Sequence, residues 1–411
     1  MTAVVTEQPV RLPGRSPRDQ IRDFATHHRS ITIIVGMVLI SVAMLILPLF
    51  PPLSLIQPKD PWYDAFSNAG VFVLLAMGLN VVIGLAGLLD LGYAAFFAIG
   101  AYTYAYSNSP FTHTDLPFIP MLFVGAAVAA VFGIALGAPT LRLRGDYLAI
   151  MTLGFGEIVP IVFTNAEPYT LGTNGIGGIY RPEALPLIGE FTPLTPLAYF
   201  IVMLFIVTVA MVLLYRMQDS RIGRAWNAIR EDELAAAANG INTVTTKLLA
   251  FAIGATTAGL AGVFNASKLT IVSPEQFYFA VSFSVVAMVI LGGMGNIWGV
   301  AIGAFVVYIV QAILLQRLNA ITEGLGIPIL QDIDFVDYQY LLFGGALILM
   351  MLFRPEGLFP SQRRRRELHI AEELAGSTVD GPEAIGSLGE APGASELFGE
   401  AAAEDVPGHD R

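Results

Sequence analysis

Ten apolar stretches of 13 to 23 residues divide this chain: 31–50, 69–84, 90–107, 118–140, 147–163, 196–215, 248–267, 279–291, 298–316 and 339–353. A hydrocarbon core about 30 Å thick takes roughly 20 apolar residues as helix. Inside it, backbone polar groups must be satisfied within the protein, which leaves helices as the spanning element for runs of this kind. The expected fold is therefore an all-α integral membrane protein, a polytopic helical bundle. Composition agrees, since 55% of the 411 residues are hydrophobic and 13% are charged, against about 25% charged in soluble domains. That excludes a disordered protein and leaves too little basic surface for a nucleic-acid binder. There is no cysteine, which excludes a disulfide scaffold and leaves the redox compartment unread.

The formal net charge of −11 is concentrated at one end. Residues 367–411 carry eleven carboxylates against Arg411, leaving the preceding 366 residues at −1. That tail is rich in Gly, Ala, Ser and Pro and lacks an apolar period, so residues 361–411 are expected to be a basic cluster followed by a disordered appendage. Residues 1–30 read as a cytoplasmic segment and 31–360 as the membrane domain. Thirty mixed polar residues before the first apolar run argue against a cleavable signal peptide.

Basic residues set the orientation. Seventeen fall in the N-terminal segment, at Arg142 and Arg144, between 216 and 247, or just after the last run. Four (Lys59, Arg181, Lys268 and Arg317) occupy the alternate loops. The positive-inside rule then puts both termini in the cytoplasm. With that parity, 69–107 and 279–316 each cross twice, giving ten crossings; eight crossings plus re-entrant segments is the alternative. Glycines crowd both stretches, at Gly84, Gly87, Gly92 and Gly100 and again at Gly292, Gly293, Gly295, Gly299 and Gly303. Small residues let helices pack closely, and clustered ones also mark broken helices that line a pathway.

Two acids stand within apolar runs. Asp90 and Glu157 are each readable as a cap on a turn or neighbouring helix, or as a functional intramembrane charge. Neither has a basic partner in an adjacent run, which weakens a proton-coupled secondary transporter. A membrane scaffold or receptor would not need the broken spans. None of the five histidines has ligand spacing, so no metal site is expected. None of the three lysines follows a glycine, so the chain has no phosphate-binding loop and is not expected to bind a cofactor or act as an enzyme.

Residues 216–247 form the largest cytoplasmic loop. Ser220 is a good N-cap, Ala235 to Ala238 favour helix and Gly240 suits the position after a helix end. Ile222, Trp226 and Ile229 make an apolar stripe flanked by Arg221, Arg224, Arg230, Glu231 and Glu233. Such a helix lies on lipid headgroups or docks into a partner, and the acids Glu231, Asp232 and Glu233 favour a protein.

This loop resembles the cytoplasmic coupling loop of ABC importer permeases, whose motif is Glu-Ala-Ala, three residues, then Gly. Ala235, Ala236 and Gly240 match; Leu234 stands where the Glu belongs, with Glu233 one position earlier. Further segments resemble the branched-chain amino acid permeases of the LivM type: Gly78 to Phe97, Leu141 to Ile158, Thr173-Asn-Gly-Ile-Gly-Gly, Gly292-Gly-Met-Gly-Asn-Ile-Trp-Gly, and Phe353-Arg-Pro-Glu-Gly-Leu-Phe. They are spread over residues 70–360; the acidic tail has no counterpart. The resemblance implies a permease for leucine, isoleucine and valine in the bacterial cell membrane. It implies a second, homologous permease, two ATPase subunits that use ATP and Mg, and an extracytoplasmic substrate-binding protein as partners. A urea permease of the same superfamily is the alternative. The polar residues of the resembling and glycine-broken segments (Asn80, Asp90, Tyr93, Thr152, Glu157, Asn174 and Asn296) are the candidate translocation path.

Overall fold

The computed structural model of the protein describes residues 29–46, 59–140, 145–184, 189–192, 195–315, 338–354 and 357–359. The bases before Arg29, Arg142, Arg144, Arg317, the four-arginine cluster 363–366 and the acidic tail lie outside the described residues. Each of the ten apolar runs supplies a helix. The first five are α1 (Arg29–Ile46), α2 (Lys59–Asn80, prolonged by a π-helical turn Val81–Leu85), α3 (Ala94–Ser107), α4 (Phe118–Thr140) and α5 (Asp146–Asn165). After α6 (Pro196–Gln218) come two loop helices, α7 (Arg221–Glu231) and α8 (Glu233–Ala238). The chain continues through α9 (Thr243–Leu269), α10 (Phe279–Gly292), α11 (Ile297–Ile309, with a π-helical turn Val310–Leu314) and α12 (Gln339–Phe353).

Among the described residues six helices are long and apolar enough to cross a membrane: Pro61–Leu85, Phe118–Pro139, Asp146–Asn165, Pro196–Gln218, Thr243–Leu269 and Pro274–Gly292. Ile297–Ile313 and Gln339–Phe353 are shorter apolar helices. Large apolar side chains stay exposed on the outward faces, among them Phe123 and Val131 of α4, Ile150 and Ile158 of α5, Phe205 of α6 and Leu352 of α12. A face of that kind belongs in lipid. The protein is a polytopic helical membrane protein.

Among the described residues one strand pair departs from an all-helical chain. Ile176–Gly177 (β1) pairs antiparallel with Ile271–Val272 (β2), Ile176 opposite Val272. This short pair joins the segment after α5 to the end of α9.

The centre is built on α9, which packs along α3, α4 and α2. α3 is 14 residues long, about 21 Å at 1.5 Å per residue. Helix alone falls short of the hydrocarbon core, the rest of the run being the non-helical residues before it, and most of α3 is buried. Close backbone approach holds this group together. A Cβ on Gly262 would meet the carbonyl oxygen of Phe97 and, at 2.6 Å, the Ala101 nitrogen, neither of which can swing aside. Gly262→Val is therefore expected to destabilise the bundle by about 1–3 kcal/mol. It should lower the thermal unfolding midpoint in detergent, whereas Gly344→Ala, which meets nothing within 4 Å inside α12, should keep or slightly raise it.

Candidate translocation path and coupling surface

Both glycine-rich stretches are broken. Between α2 and α3, residues 86–93 are non-helical, and Gly87 has φ +72°. Between α10 and α11, residues 293–296 carry φ +108° at Gly293 and +83° at Gly295, values that suit glycine alone. Such breaks survive at membrane depth only where protein satisfies the freed backbone groups.

Side chains do that at the first break. The Gly92 N–H donates to Asp90 Oδ1 at 2.9 Å and the Leu91 N–H to Thr152 Oγ1 at 3.0 Å. The Ala94 N–H, an orphan of the α3 N-terminus, donates to Ser282 Oγ at 2.9 Å. Tyr93 is buried; its hydroxyl donates to the Gly254 carbonyl at 2.7 Å and sits 3.0 Å from Thr257 Oγ1. Asp90 is 0% exposed, and its Oδ2 has no hydrogen-bond partner among the described residues.

The second break is tied to the first. The Gly295 N–H donates to Asn80 Oδ1 at 2.8 Å, while Asn80 Nδ2 is buried without a partner among the described residues. The Gly295 carbonyl accepts from Gln218 Nε2 at 3.2 Å. Asn296 Nδ2 donates to the Phe359 carbonyl at 3.0 Å, and the Phe359 N–H returns to Gly292 O at 3.2 Å. The Leu358 N–H likewise donates to the Leu291 carbonyl at 2.9 Å, so Leu358 and Phe359 strap the second break.

The candidate path residues accordingly separate. Asp90, Tyr93 and Thr152 gather at the first break, Asn80 joins the two breaks, and Asn296 faces the strap. Glu157 is a cap: its Oε1 accepts from the Phe279 N–H at 3.3 Å, at the start of α10. Asn174 stands apart, exposed in a 3₁₀ turn before β1. Ser282 and Gln218 were not legible as site residues, because a serine or glutamine near an apolar run carries no local signal of a distant backbone partner.

The cytoplasmic loop is a compact pair of capped helices. Ser220 Oγ accepts from the Ile222 and Gly223 N–H groups, and Asp232 Oδ1 from those of Leu234 and Ala235. The apolar stripe does not face headgroups or a partner as expected. Trp226 is 0% exposed, and its Nε1 donates to the Thr246 carbonyl at 2.8 Å; Ile229 is also buried. Joined to α6 by a short turn and followed closely by α9, α7 turns these side chains into its own protein. Ile222 alone of the stripe stays exposed.

What the loop presents outward is Arg221, Arg224, Glu231, Leu234, Ala235 and Gly240; Ala236 is buried. The acid displaced from the motif points inward. Glu233 Oε1 meets Lys247 Nζ at 2.6 Å, the lysine side chain being 6% exposed, and this pair pins α8 to α9. Arg230 also turns inward: its Nη1 donates to the Gly84 carbonyl, and its stem lies over Gly87, whose Cβ would meet Arg230 Cγ at 2.8 Å. Among the described residues no group of three metal-ligating side chains occurs.

The family model described as "Branched-chain amino acid transport system / permease component" matches residues 64–351. The high-affinity branched-chain amino acid transport system permease protein LivM of Salmonella typhimurium is 40% identical over 326 residues, 74% of this chain and 71% of that protein. LivM of Escherichia coli K12 is 39% identical over 72% of this chain and 70% of its own length. A second permease of E. coli K12, LivH, is 24% identical over 72% of this chain and 93% of its own. No solved structure matches the chain. With both breaks, the strap and the loop inside or beside the matched region, the chain belongs to the branched-chain amino acid transport permease family.

Proposed function

We propose that this chain is the LivM-type permease subunit of an ATP-driven importer of leucine, isoleucine and valine. It crosses the bacterial plasma membrane ten times with both termini in the cytoplasm, and it pairs with a second, LivH-like permease. A binding protein delivers substrate from outside, and two ATPases dock on residues 216–247, using ATP and Mg that this chain does not itself hold. Likeness to both LivM and LivH supports a pair of similar permeases.

The observation that carries the coupling is the continuous set of contacts from the loop to both breaks. Arg230 holds the Gly84 carbonyl; a Cβ on Gly84 would touch Asn80 Oδ1 and, at 2.6 Å, the Gly295 nitrogen. Gln218, at the end of α6, holds the other side of Gly295. A nucleotide-dependent shift of the loop therefore displaces, at once, the π-helical turn that leads into the first break and the non-helical backbone of the second. For that shift to drive transport, the ATPases must bind one arrangement of the loop more tightly than the other. The pinned loop, with Trp226 and the Glu233–Lys247 pair as its anchors, moves as a unit.

The test is uptake of labelled leucine and urea into vesicles holding the assembled importer. Leucine uptake that needs ATP and survives collapse of the proton gradient is expected. Uptake driven by the gradient without ATP would reject the importer, and preference for urea would reject the substrate.

A further inference from the structure

A second polar site lies at the opposite end of the bundle from the loop, and none of the candidate path residues belongs to it. A cleft of about 160 Å³ is lined by Asp64, Asn68, Arg181, Thr192, Tyr199 and Lys268, with Pro196 and Leu269 as apolar wall. In the orientation proposed above it opens to the outside, and the inference rests on that reading.

The lysine is already occupied. Lys268 Nζ donates to Asp64 Oδ1 at 2.9 Å, to the Asp64 carbonyl at 3.2 Å and to Asn68 Oδ1 at 2.6 Å, with its side chain 7% exposed. These contacts join the ends of α9 and α2 and leave the lysine–aspartate pair neutral. Arg181 is different. It lines the same cleft, is exposed, and makes no ion pair or hydrogen bond among the described residues. Among the described residues the cleft therefore carries one uncompensated positive charge.

Arg181 is also well placed. Its neighbour Tyr180 is held on both sides, its N–H donating to the Asn108 carbonyl at 2.8 Å and its carbonyl accepting from Tyr104 at 3.1 Å. The aromatic wall is equally fixed: the Tyr199 ring packs edge-on against Phe191 at 5.1 Å and Phe264 at 6.1 Å. A guanidinium presents parallel N–H groups that match a carboxylate. Asp64, 52% exposed at its side chain, still offers carboxylate surface to a cation.

We propose that this cleft is an entry site for a zwitterionic α-amino acid with an apolar side chain. Its carboxylate rests on Arg181, its ammonium faces Asp64, and its side chain lies against Tyr199, Pro196 and Leu269. Urea has neither charge, so the site separates the two substrate classes that the sequence leaves open. A site that recognises a charge rejects the analogue lacking it more strongly than an apolar pocket rejects a missing methylene.

The chain lacks cysteine, so Thr192→Cys places its one thiol in the cleft. In the assembled importer held in lipid nanodiscs, without binding protein, millimolar leucine should slow maleimide labelling of that thiol. Leucinol, with an alcohol in place of the carboxylate, should not. Arg181→Gln should raise the half-protecting leucine concentration about tenfold, the equivalent of roughly 1.4 kcal/mol, and Arg181→Lys should fall between. Equal protection by leucinol, or protection unaffected by Arg181→Gln, would overturn the proposal. So would a loss of binding-protein docking in Arg181→Gln with leucine protection intact, which makes the cleft a protein contact. Protection is read without transport; absence of ATP-driven leucine uptake by the wild type sinks the importer reading separately.

Discussion

Asp90→Asn is expected to give a permease that unfolds at a higher temperature than the wild type and imports leucine at least about tenfold more slowly. The stability half follows from the two oxygens of one side chain. Oδ1 accepts the Gly92 N–H of the first break, a task the Asn oxygen performs equally well. Oδ2 is buried with no hydrogen-bond partner among the described residues. A carboxylate at membrane depth costs about 2.5–3.5 kcal/mol on insertion scales, and Asn removes the charge without changing the shape. If capping were the whole role of Asp90, Asn would be the better residue. Its unpartnered oxygen has no structural employment among the described residues, and a permease that carries an ammonium has a use for it. Stability traded against activity in this direction is the usual signature of a functional charge. Asp90→Ala is the control: it also removes the cap from the Gly92 N–H, and leaving a buried donor unpaired costs about 1–3 kcal/mol. Thermal unfolding in detergent and ATP-driven uptake of labelled leucine check the three proteins together. Full uptake by Asp90→Asn would reduce Asp90 to a cap.

The two roles of Asp90 also show where sequence reading stopped. Lipid dictates that spanning segments be apolar, and each of the ten apolar runs holds a helix. Edges were less so. α2 begins at Lys59 rather than 69, because its first turns carry Asp64 and Asn68, whose polar side chains meet Lys268 some 200 positions away. Nothing local announces such a partner. The glycine clusters marked both breaks correctly. The groups that satisfy them were hidden for the same reason, since Leu91–Thr152, Ala94–Ser282 and Gly295–Asn80 join residues 61, 188 and 215 positions apart. In the loop, periodicity revealed the stripe of Trp226 and Ile229 but not the body it faces. A helical moment gives a direction relative to the helix axis; which neighbour fills that direction is decided by the turns at either end. The Glu233–Lys247 pair explains the apparent slip in the Glu-Ala-Ala motif as an acid turned inward, leaving Leu234, 68% exposed, at the outer surface.

Arg230 gives the second large effect, and it is one of uncoupling. Its guanidinium is the point where the loop grips the π-helical turn leading into the first break, through the Gly84 carbonyl. From there Gly84 abuts Asn80, and Asn80 holds the Gly295 N–H of the second break. Hydrogen bonds involving a charged group contribute about 1.5–3 kcal/mol, the same range as typical coupling free energies between sites, about 1–3 kcal/mol. Arg230→Ala is therefore expected to lower uptake by about tenfold or more while ATP hydrolysis by the assembled importer stays at or above the wild-type rate. The exposed neighbour Arg224, whose Nη1 bonds the Asp219 carbonyl at 3.0 Å, lies on the outward face. Arg224→Glu should instead weaken capture of the ATPases and lower hydrolysis and uptake in parallel. Asn80→Ala belongs to the Arg230 class, and if both act along one line of contacts the double variant Arg230→Ala/Asn80→Ala loses little more than either alone. Contacting residues show such non-additivity of about 0.5–3 kcal/mol, whereas independent sites add. The readouts are uptake and phosphate release from the same vesicles. Additive losses, or a fall in hydrolysis matching the fall in uptake for Arg230→Ala, would move Arg230 from transmission to docking and leave Gln218 on the Gly295 carbonyl as the mechanical link between the loop and the breaks.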